Sequence, residues 1–584
     1  MNLPLKAYWD LLSRHIAPQK NRFVWLVLLL FGSIVLQIIN PQIMRSFIDS
    51  ALGGGTASQL LRDAAAFIAI ALVQQGVSVG VTYLGESVAW TATNALRAEL
   101  AEHCLNLDMS FHNTHTPGEL IERIDGDVTL MANFFSQFAI MVVGNALLLV
   151  GVLAALFREN AWTGLVFSVF AAVTLTVMVR LRGIAVRHHK DRRQAEAELS
   201  GFIEETLTGT EDVRSSGAGG FIVRELFRLQ GIIMGHDRKA HQKGWVVSDL
   251  VPGGLMTLGN VMAITAGFLL YSSGSITLGT VYLFIHYANL LESPVKALTR
   301  QVENFQAIGA SVERLSELRA IQSRVADGPG HEIGSGALSL DFENVNFAYH
   351  DAPEDPVLHE VTFSLSPGRV LGLLGRTGSG KTTLTRLVFR MADPLSGVIR
   401  LGESNLSQFR LHYLRQRVAV VTQEVQLFRA TLRDNLTFFD RDIPDEILVS
   451  ALEDLGLGEW YRRLPEGLDT KLAVGGRSLS AGEGQLLALT RVFLRDPGLV
   501  ILDEASSRLD PLSETLIEKA MDKLLKGRTA IVIAHRLNTV QRADEIMILD
   551  EGRVSEHGPR EVLVKDPTSH FYGLLQTGLE EVLV

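Results

Sequence analysis

One cysteine, Cys104, stands in 584 residues, so no intrachain disulfide can brace this fold. Its plain role is that of a small buried apolar side chain. Aromatic residues make up only 7%, none interleave with a basic arm, and the net charge is −10. That balance offers no electrostatic footprint for nucleic acid, and no nucleic-acid partner is expected. Internal repeats and low-complexity tracts are also missing. So is a secretory signal. Lys6, Arg14, Lys20 and Arg22 lead into an apolar stretch from residue 23 to 39, with no small-x-small cleavage site after it. That stretch is too long for a signal core and reads as a retained membrane helix.

Apolar residues are what the chain has in plenty. They make up 47%, and the mean hydropathy of +0.20 is high for a wholly soluble enzyme. A chain of this length exceeds one core and predicts two or more domains. The excess is concentrated in the first half, where six segments approach the ~20 residues of a bilayer-spanning helix. They are residues 23–48, 64–88, 135–157, 162–179, 246–271 and 278–295. The connections 49–63, 158–161 and 272–277 are short, and the last carries no charge. The stretches after the second and fourth segments are long, and the latter is rich in arginine, from Arg180 and Arg182 to Arg238 and Lys243. Basic residues stay inside, which predicts a multi-pass integral membrane protein with both termini in the cytoplasm. The compact size and absent targeting sequence make a bacterial inner membrane the expected location.

The long inner stretches keep helical patterning, with Leu199, Ile203 and Leu207 on one face, so the membrane helices should continue into the cytoplasm. Each pair turns at a breaker-rich corner, residues 111–120 and 208–217. These corners either touch a cytosolic motor or simply turn a helical hairpin. A linker at 321–336 contains Asp327-Gly328-Pro329-Gly330 and Gly334-Ser335-Gly336. The expected division is therefore an all-α six-helix transmembrane domain over 1–320, the linker, and an α/β domain over 337–584. In the last, apolar runs at 338–342, 370–374, 418–422, 499–503, 529–533 and 545–549 predict a largely parallel sheet covered by helices.

The run 370–374 is followed by Gly375-Arg376-Thr377-Gly378-Ser379-Gly380-Lys381-Thr382, which fits G-x-x-x-x-G-K-[ST]. Strand, glycine-rich turn and helix make a phosphate cradle of backbone amides, with Lys381 adding charge and Thr382 expected on a metal ion. Thr383 joins these as a nucleotide-binding candidate. A second apolar run, Val500-Ile501-Leu502, ends in Asp503-Glu504. Asp503 is expected to hold Mg²⁺ and Glu504 to polarise the water attacking the γ-phosphate. The alternative, acidic caps on the next helix, is weak this far downstream of a phosphate loop.

With Leu479-Ser480-Ala481-Gly482-Glu483-Gly484-Gln485 between these motifs, the chain resembles the ATP-binding cassette (ABC) superfamily. The resemblance extends to an exporter half-transporter with six spans and one C-terminal P-loop nucleotide-binding domain. It implies ATP and Mg²⁺ as ligands. Tyr349 matches the residue that stacks on adenine, and Gln423 the glutamine that senses metal and water. Ser480 and Gly482 match the signature that grips ATP held by a second chain. Asp510, in Ser507-Arg508-Leu509-Asp510, matches the D-loop, and His535 the switch histidine. The corner from Phe111 to Leu120 is similar to the first coupling segment of that family.

Three departures stand out. Ala481 replaces a glycine, Glu483 replaces a glutamine, and Val474-Gly475-Gly476-Arg477-Ser478 lacks a glutamate-bearing turn. Glu483 either repels an incoming triphosphate or closes a Ser480-x-x-Glu483 capping box. The partner is a second half-transporter, as a homodimer or as a heterodimer in which this chain brings the weaker signature. The reading is ATP-driven export of an amphipathic or hydrophobic small molecule out of a lipid bilayer by alternating access. An importer on the exporter fold, such as a siderophore carrier, and a membrane-anchored signalling ATPase are the alternatives. Polar residues inside spans, Gln37, Asn40, Gln74, Gln75, Glu86, His286, Asn289, Glu292 and Ser293, either touch cargo or join helix to helix.

Overall fold

The computed structural model describes residues 13–137, 142–245, 250–331, 333–350, 352–422, 425–473, 479–503, 511–534 and 540–577. The chain divides into two compact units. One takes Met1–Leu105 and Pro117–Ile321; the other takes Asn106–Thr116 and Gln322–Val584. Residues 111–116 of the first corner thus group with the second unit, and 117–120 with the first.

The first unit is helical. Its longer helices are α1 (Lys20–Leu52), α2 (Ala57–Asn106), α3 (Gly144–Glu159), α4 (Ala161–Thr208), α5 (Gly219–Trp245), α6 (Val251–Ser272), α7 (Leu278–Leu290) and α8 (Glu292–Ala320). Among the described residues four helices are long and apolar enough to cross a membrane: Ser13–Leu52, Ala57–Asn106, Ala161–Met178 and Val251–Ser272. The third and sixth expected spans contain shorter helices, α3 and α7. Residues 138–141, ahead of α3, lie outside the described part, as do 246–249 ahead of α6. The sixth span, which the sequence reading ran straight to residue 295, is interrupted at Leu291, a single turn residue that keeps helical dihedrals between α7 and α8. Pro294 explains the break. It lacks an amide hydrogen and is tolerated only in the first turn of a helix, which is where α8 places it.

The 50 residues of α2 make a rod about 75 Å long at 1.5 Å per residue, far more than the hydrocarbon core of a bilayer. It therefore continues well outside any membrane. Trp25, Leu28, Phe31, Leu72, Val73 and Tyr83 are exposed on α1 and α2, a surface that only acyl chains would solvate. Inside, Ile34, Leu148, Val152, Phe167, Leu283, Phe284 and Tyr287 pack into one core. The Tyr287 hydroxyl donates to the Ile38 carbonyl (2.9 Å) and accepts from Gln42 Nε2 (2.9 Å), so its burial leaves no unpaired oxygen. Cys104 is buried, as its size allows.

The second unit contains two sheets, where the sequence suggested one. β1 (Leu340–Phe347), β2 (Leu358–Leu365), β4 (Ser396–Leu401) and β5 (Ser404–Asn405) form an antiparallel sheet in the order β2-β1-β4-β5. β3 (Val370–Leu374), β6 (Val418–Val421), β7 (Leu499–Asp503), β8 (Thr529–Ile533), β9 (Glu545–Asp550) and β10 (Arg553–Pro559) form the other, in the order β10-β9-β3-β8-β7-β6. Only β10 runs antiparallel there. All five residues of β3 and of β8 are buried, as expected for strands covered on both faces. The run at 338–342 was read as part of the parallel sheet. It starts β1 instead, and its partners β2 and β4 were not anticipated. The helices that carry the motifs are α9 (Lys381–Val388), α10 (Ala481–Arg495) and α11 (Pro511–Leu525).

Candidate nucleotide site

Ligands of open α/β sheets bind beyond the carboxyl ends of the strands. The register brings those ends level: Leu373 of β3 pairs with Ile533 of β8, and Ile533 with Asp503 of β7. Asp503 therefore sits two strands from β3, about 10 Å across the sheet. Between them rises the loop that ends in α9.

That loop is shaped by glycine. Gly375 has φ of +148°, and a side chain on it would strike the Leu549 carbonyl oxygen at 2.2 Å and Ser379 Oγ at 2.6 Å. Gly380, with φ of +101°, is the residue before α9 and offers no side-chain cap. Only glycine takes both positions without strain. The first amides of α9 are consequently open to an anion. Ser379 Oγ is buried with no hydrogen-bond partner among the described residues. A buried hydroxyl without a partner is costly, and a phosphate oxygen would satisfy it.

Lys381 is 93% buried, and its Nζ donates to the carbonyls of Gly375 (2.6 Å) and Arg376 (2.9 Å). Burial pulls its ammonium below the usual lysine range, and Asp503 acts the other way. Thr382 is exposed at the helix start, whereas Thr383 is buried. Tyr349, just after β1, is hydrogen-bonded through its hydroxyl to Thr383 Oγ1 (3.0 Å) and Arg386 Nη1 (3.2 Å). Its ring meets Phe347 edge-on at 5.0 Å. The aromatic candidate and the phosphate loop are thus tied together. Arg376, Thr377 and Gly378 complete the loop, Gly378 with φ of +85°.

The signature starts α10. Ser480 is its cap: Glu483 N–H donates to Ser480 Oγ (3.2 Å), and Ser480 N–H donates to Glu483 Oε2 (2.7 Å). The capping box of the sequence is therefore present. Ala481 is exposed, so its methyl meets no packing there. Gly482 is buried, and a Cβ on it would lie 2.6 Å from Ser513 on α11, so this glycine sets how closely the two helices approach. Ser480 itself is exposed, and among the described residues no hydrogen bond joins it to the phosphate loop. Gln423, Glu504, Asp510 and His535 lie outside the described residues, as does the segment 474–478. Each of these four follows a described strand: Gln423 after β6, Glu504 and Asp510 after β7, His535 after β8.

Comparison with known proteins decides what kind of site this is. Residues 23–295 match the family model described as ABC transporter transmembrane region, and residues 358–507 match the one described as ABC transporter. An ATP-dependent lipid A-core flippase from Pseudomonas fluorescens is 31% identical over 90% of this chain and 86% of its own. The chain belongs to the ABC transporter family. The ABC transporter ATP-binding protein YknV of Bacillus subtilis is 30% identical over 95% of this chain and 92% of its own. A solved bacterial Atm1-family ABC exporter with ATP bound shares the fold, with a TM-score of 0.77 at 22% identity over 97% of this chain and 98% of that one. The chain is an exporter-type half-transporter, an integral membrane protein whose ATPase is coupled to transport.

Sequence reasoning missed a buried hub behind the transporter's signature helix. Arg491 on α10 donates to the Asn435 carbonyl (2.6 Å), to Asn435 Oδ1 (2.9 Å) and to the Gln426 carbonyl (2.8 Å). Burial, with nearby Arg495 adding to it, lowers its guanidinium to about 10. The signal was available: Arg491 interrupts an apolar face built from Leu486, Leu487 and Leu489. Polar residues of the spans divide. Asn289 accepts from Asn260 (2.8 Å) and so joins α7 to α6, whereas Glu292 pairs with Lys296 (2.6 Å) one turn along α8 itself. His286 stacks on Tyr282. Asn40 Oδ1 is buried with no partner among the described residues.

Proposed function

We propose that this half-transporter exports an amphipathic, lipid-like molecule across a bacterial inner membrane, with both termini in the cytoplasm. It works as a dimer in which each ATP lies between one chain's phosphate loop and the other chain's signature. The observation that carries the nucleotide roles is the loop itself. Gly375 and Gly380 hold a cradle that a Cβ would fill, around a buried lysine and a buried Ser379 hydroxyl that has no partner among the described residues. The flippase relative supports a lipid-like cargo, and the exposed apolar surface of α1 and α2 fits entry from a bilayer.

The residue roles follow. Gly375 to Thr383 wrap the phosphates, and Tyr349 faces the base. Thr382, Asp503 and Gln423 would hold Mg²⁺, which supplies charge neutralisation on the phosphate oxygens. Glu504 takes a proton from the attacking water, His535 contacts the γ-phosphate, and Asp510 lies on the contact between chains. Ser480 and Gly482 close on the partner's ATP. The division into a transmembrane part over 1–320, a linker over 321–336 and a nucleotide-binding part over 337–584 belongs to the same reading.

Glu504→Gln tests it. The variant should bind ATP with unchanged affinity and turn it over about a hundredfold more slowly, accumulating as a closed dimer on size-exclusion chromatography. Wild-type turnover by the purified dimer of that variant would remove Glu504 from the role.

A further inference from the structure

The chain passes between its two units at three places: Leu105 to Asn106, Thr116 to Pro117, and Ile321 to Gln322. Two of these crossings are joined by hydrogen bonds on either side. Within the first unit, the end of α2 is tied to the end of α8. Arg319 pairs with Glu99 at 2.7 Å, and His103 Nε2 lies 3.1 Å from the Leu318 carbonyl oxygen. Within the second unit, Asp108 makes the corresponding tie. One carboxylate oxygen accepts from Ser110 N–H (3.0 Å) and from the Ser110 hydroxyl, capping the corner helix Met109–Thr114. The other oxygen accepts from Arg324 N–H at 2.8 Å, across 216 residues of sequence. The linker continues from Arg324 onto the second unit's own framework. Leu411 N–H donates to Asp327 Oδ1 (2.7 Å), and Gly328 N–H to the Phe409 carbonyl (3.2 Å).

We infer that Asp108 is a coupling strap: one carboxylate holds the first coupling corner and the linker together, so that both crossings are pulled as a single body when the nucleotide unit moves. A helix cap alone needs one oxygen, and Asp108 uses two, on two distant segments. The corner is further stiffened by Phe111, buried and stacked on His115 with ring centroids 4.3 Å apart. Burial raises the affinity of this carboxyl for a proton. The donors from Arg324, Ser110 and Phe111 outweigh it and hold Asp108 below the usual carboxylate range, so the strap is charged at neutral pH. Without it the linker would stay tied to the nucleotide unit and the corner would lose its hydrogen bond to that linker.

The inference rests on the transport reading, and serine separates the strap from the cap. Asp108→Ser keeps a good N-cap but has a single short oxygen, which cannot also reach Arg324. The full-length protein is reconstituted in lipid nanodiscs in a Cys104→Ser background, with spin labels at Ser58 and Ser275, and distances are measured in the apo and ATP–vanadate states. In Asp108→Ser the ATPase rate should stay within about twofold of the parent, while the population shifted by ATP–vanadate falls roughly fivefold, the size of a modest coupling energy. Asp108→Ala should show the same loss of shift together with a lower Tm. A serine variant that shifts as fully as the parent makes Asp108 a cap only and overturns the strap. So does a parallel fall of ATPase and shift, which would mark general damage. If the parent itself shows no shift while hydrolysing ATP, the transport reading fails and takes the strap with it.

Discussion

Two helix starts in the nucleotide-binding unit face the same task and are built differently. α9 begins after Gly380 with a left-handed backbone and no side-chain cap. α10 begins at Ser480 with both bonds of a capping box in place. An uncapped start leaves its amides and the positive end of its dipole for a ligand, and the lysine that follows is buried against the loop. The second start has already spent two amides on its own side chains. A phosphate can therefore settle into the first unaided, but at the second it arrives next to the Glu483 carboxylate. On the function proposed above, the first start holds ATP tightly and the second engages it late, when another chain presents it.

Breaking the first start should have the largest effect. Lys381→Ala removes a charge-assisted contact worth about 2–3 kcal/mol, so ATP affinity should fall about a hundredfold by equilibrium titration. A loss under about threefold would show that the loop amides alone hold the phosphates. Breaking the second should act on turnover and leave binding alone. Ser480→Ala removes the cap, costing about 1 kcal/mol of stability, and should cut ATPase turnover roughly tenfold with ATP affinity of the isolated chain unchanged. Equal losses in both would mean that the two starts do not divide the work.

Glu483→Gln sharpens the comparison. Glutamine also completes a capping box, so this change removes charge and keeps the cap. The site is exposed and solvent-screened, which limits the repulsion to a fraction of a kcal/mol, and KM for ATP should fall about threefold with Tm unchanged. An unaltered KM would show that the carboxylate's charge is spent on the Ser480 amide and never reaches the triphosphate.

The parts of this molecule that were legible in its sequence are those whose chemistry needs residues at fixed spacing. Gly375, Gly380 and Lys381 announce a phosphate loop because no other residues produce that backbone at the end of an apolar strand. Four of the six expected spans were legible through composition, since acyl chains accept only apolar surface. The edge of the mostly parallel sheet was less so. β10 alternates exposed and half-buried residues and ends in Gly558-Pro559, which reads as a loop but serves as an edge strand. The break at Leu291 was hidden because an apolar run continues through it, and only Pro294 marks the spot. Asp108 gave no pattern at all. Its importance comes from Arg324, and a bond to a backbone amide across 216 residues leaves no side-chain signature to read.

The smallest effect concerns how the first start is joined to the base pocket. Tyr349 sends its hydroxyl to Thr383 and Arg386, both on α9, so the ring proposed to face adenine is fixed to the helix proposed to face the phosphates. Tyr349→Phe keeps the ring and its contact with Phe347 but cuts that tie. The Arg386 bond is solvent-exposed and the Thr383 bond half-buried, so the net loss should be near 0.5–1 kcal/mol, or about threefold weaker ATP binding. Tyr349→Ala, losing the stacking face as well, should be weaker again by roughly tenfold. If phenylalanine and tyrosine bind ATP equally, the ring is held by its packing on Phe347, and the open start of α9 works independently of the base pocket. If phenylalanine is as poor as alanine, the tie to α9 is what orients the ring, and base and phosphate recognition are a single unit.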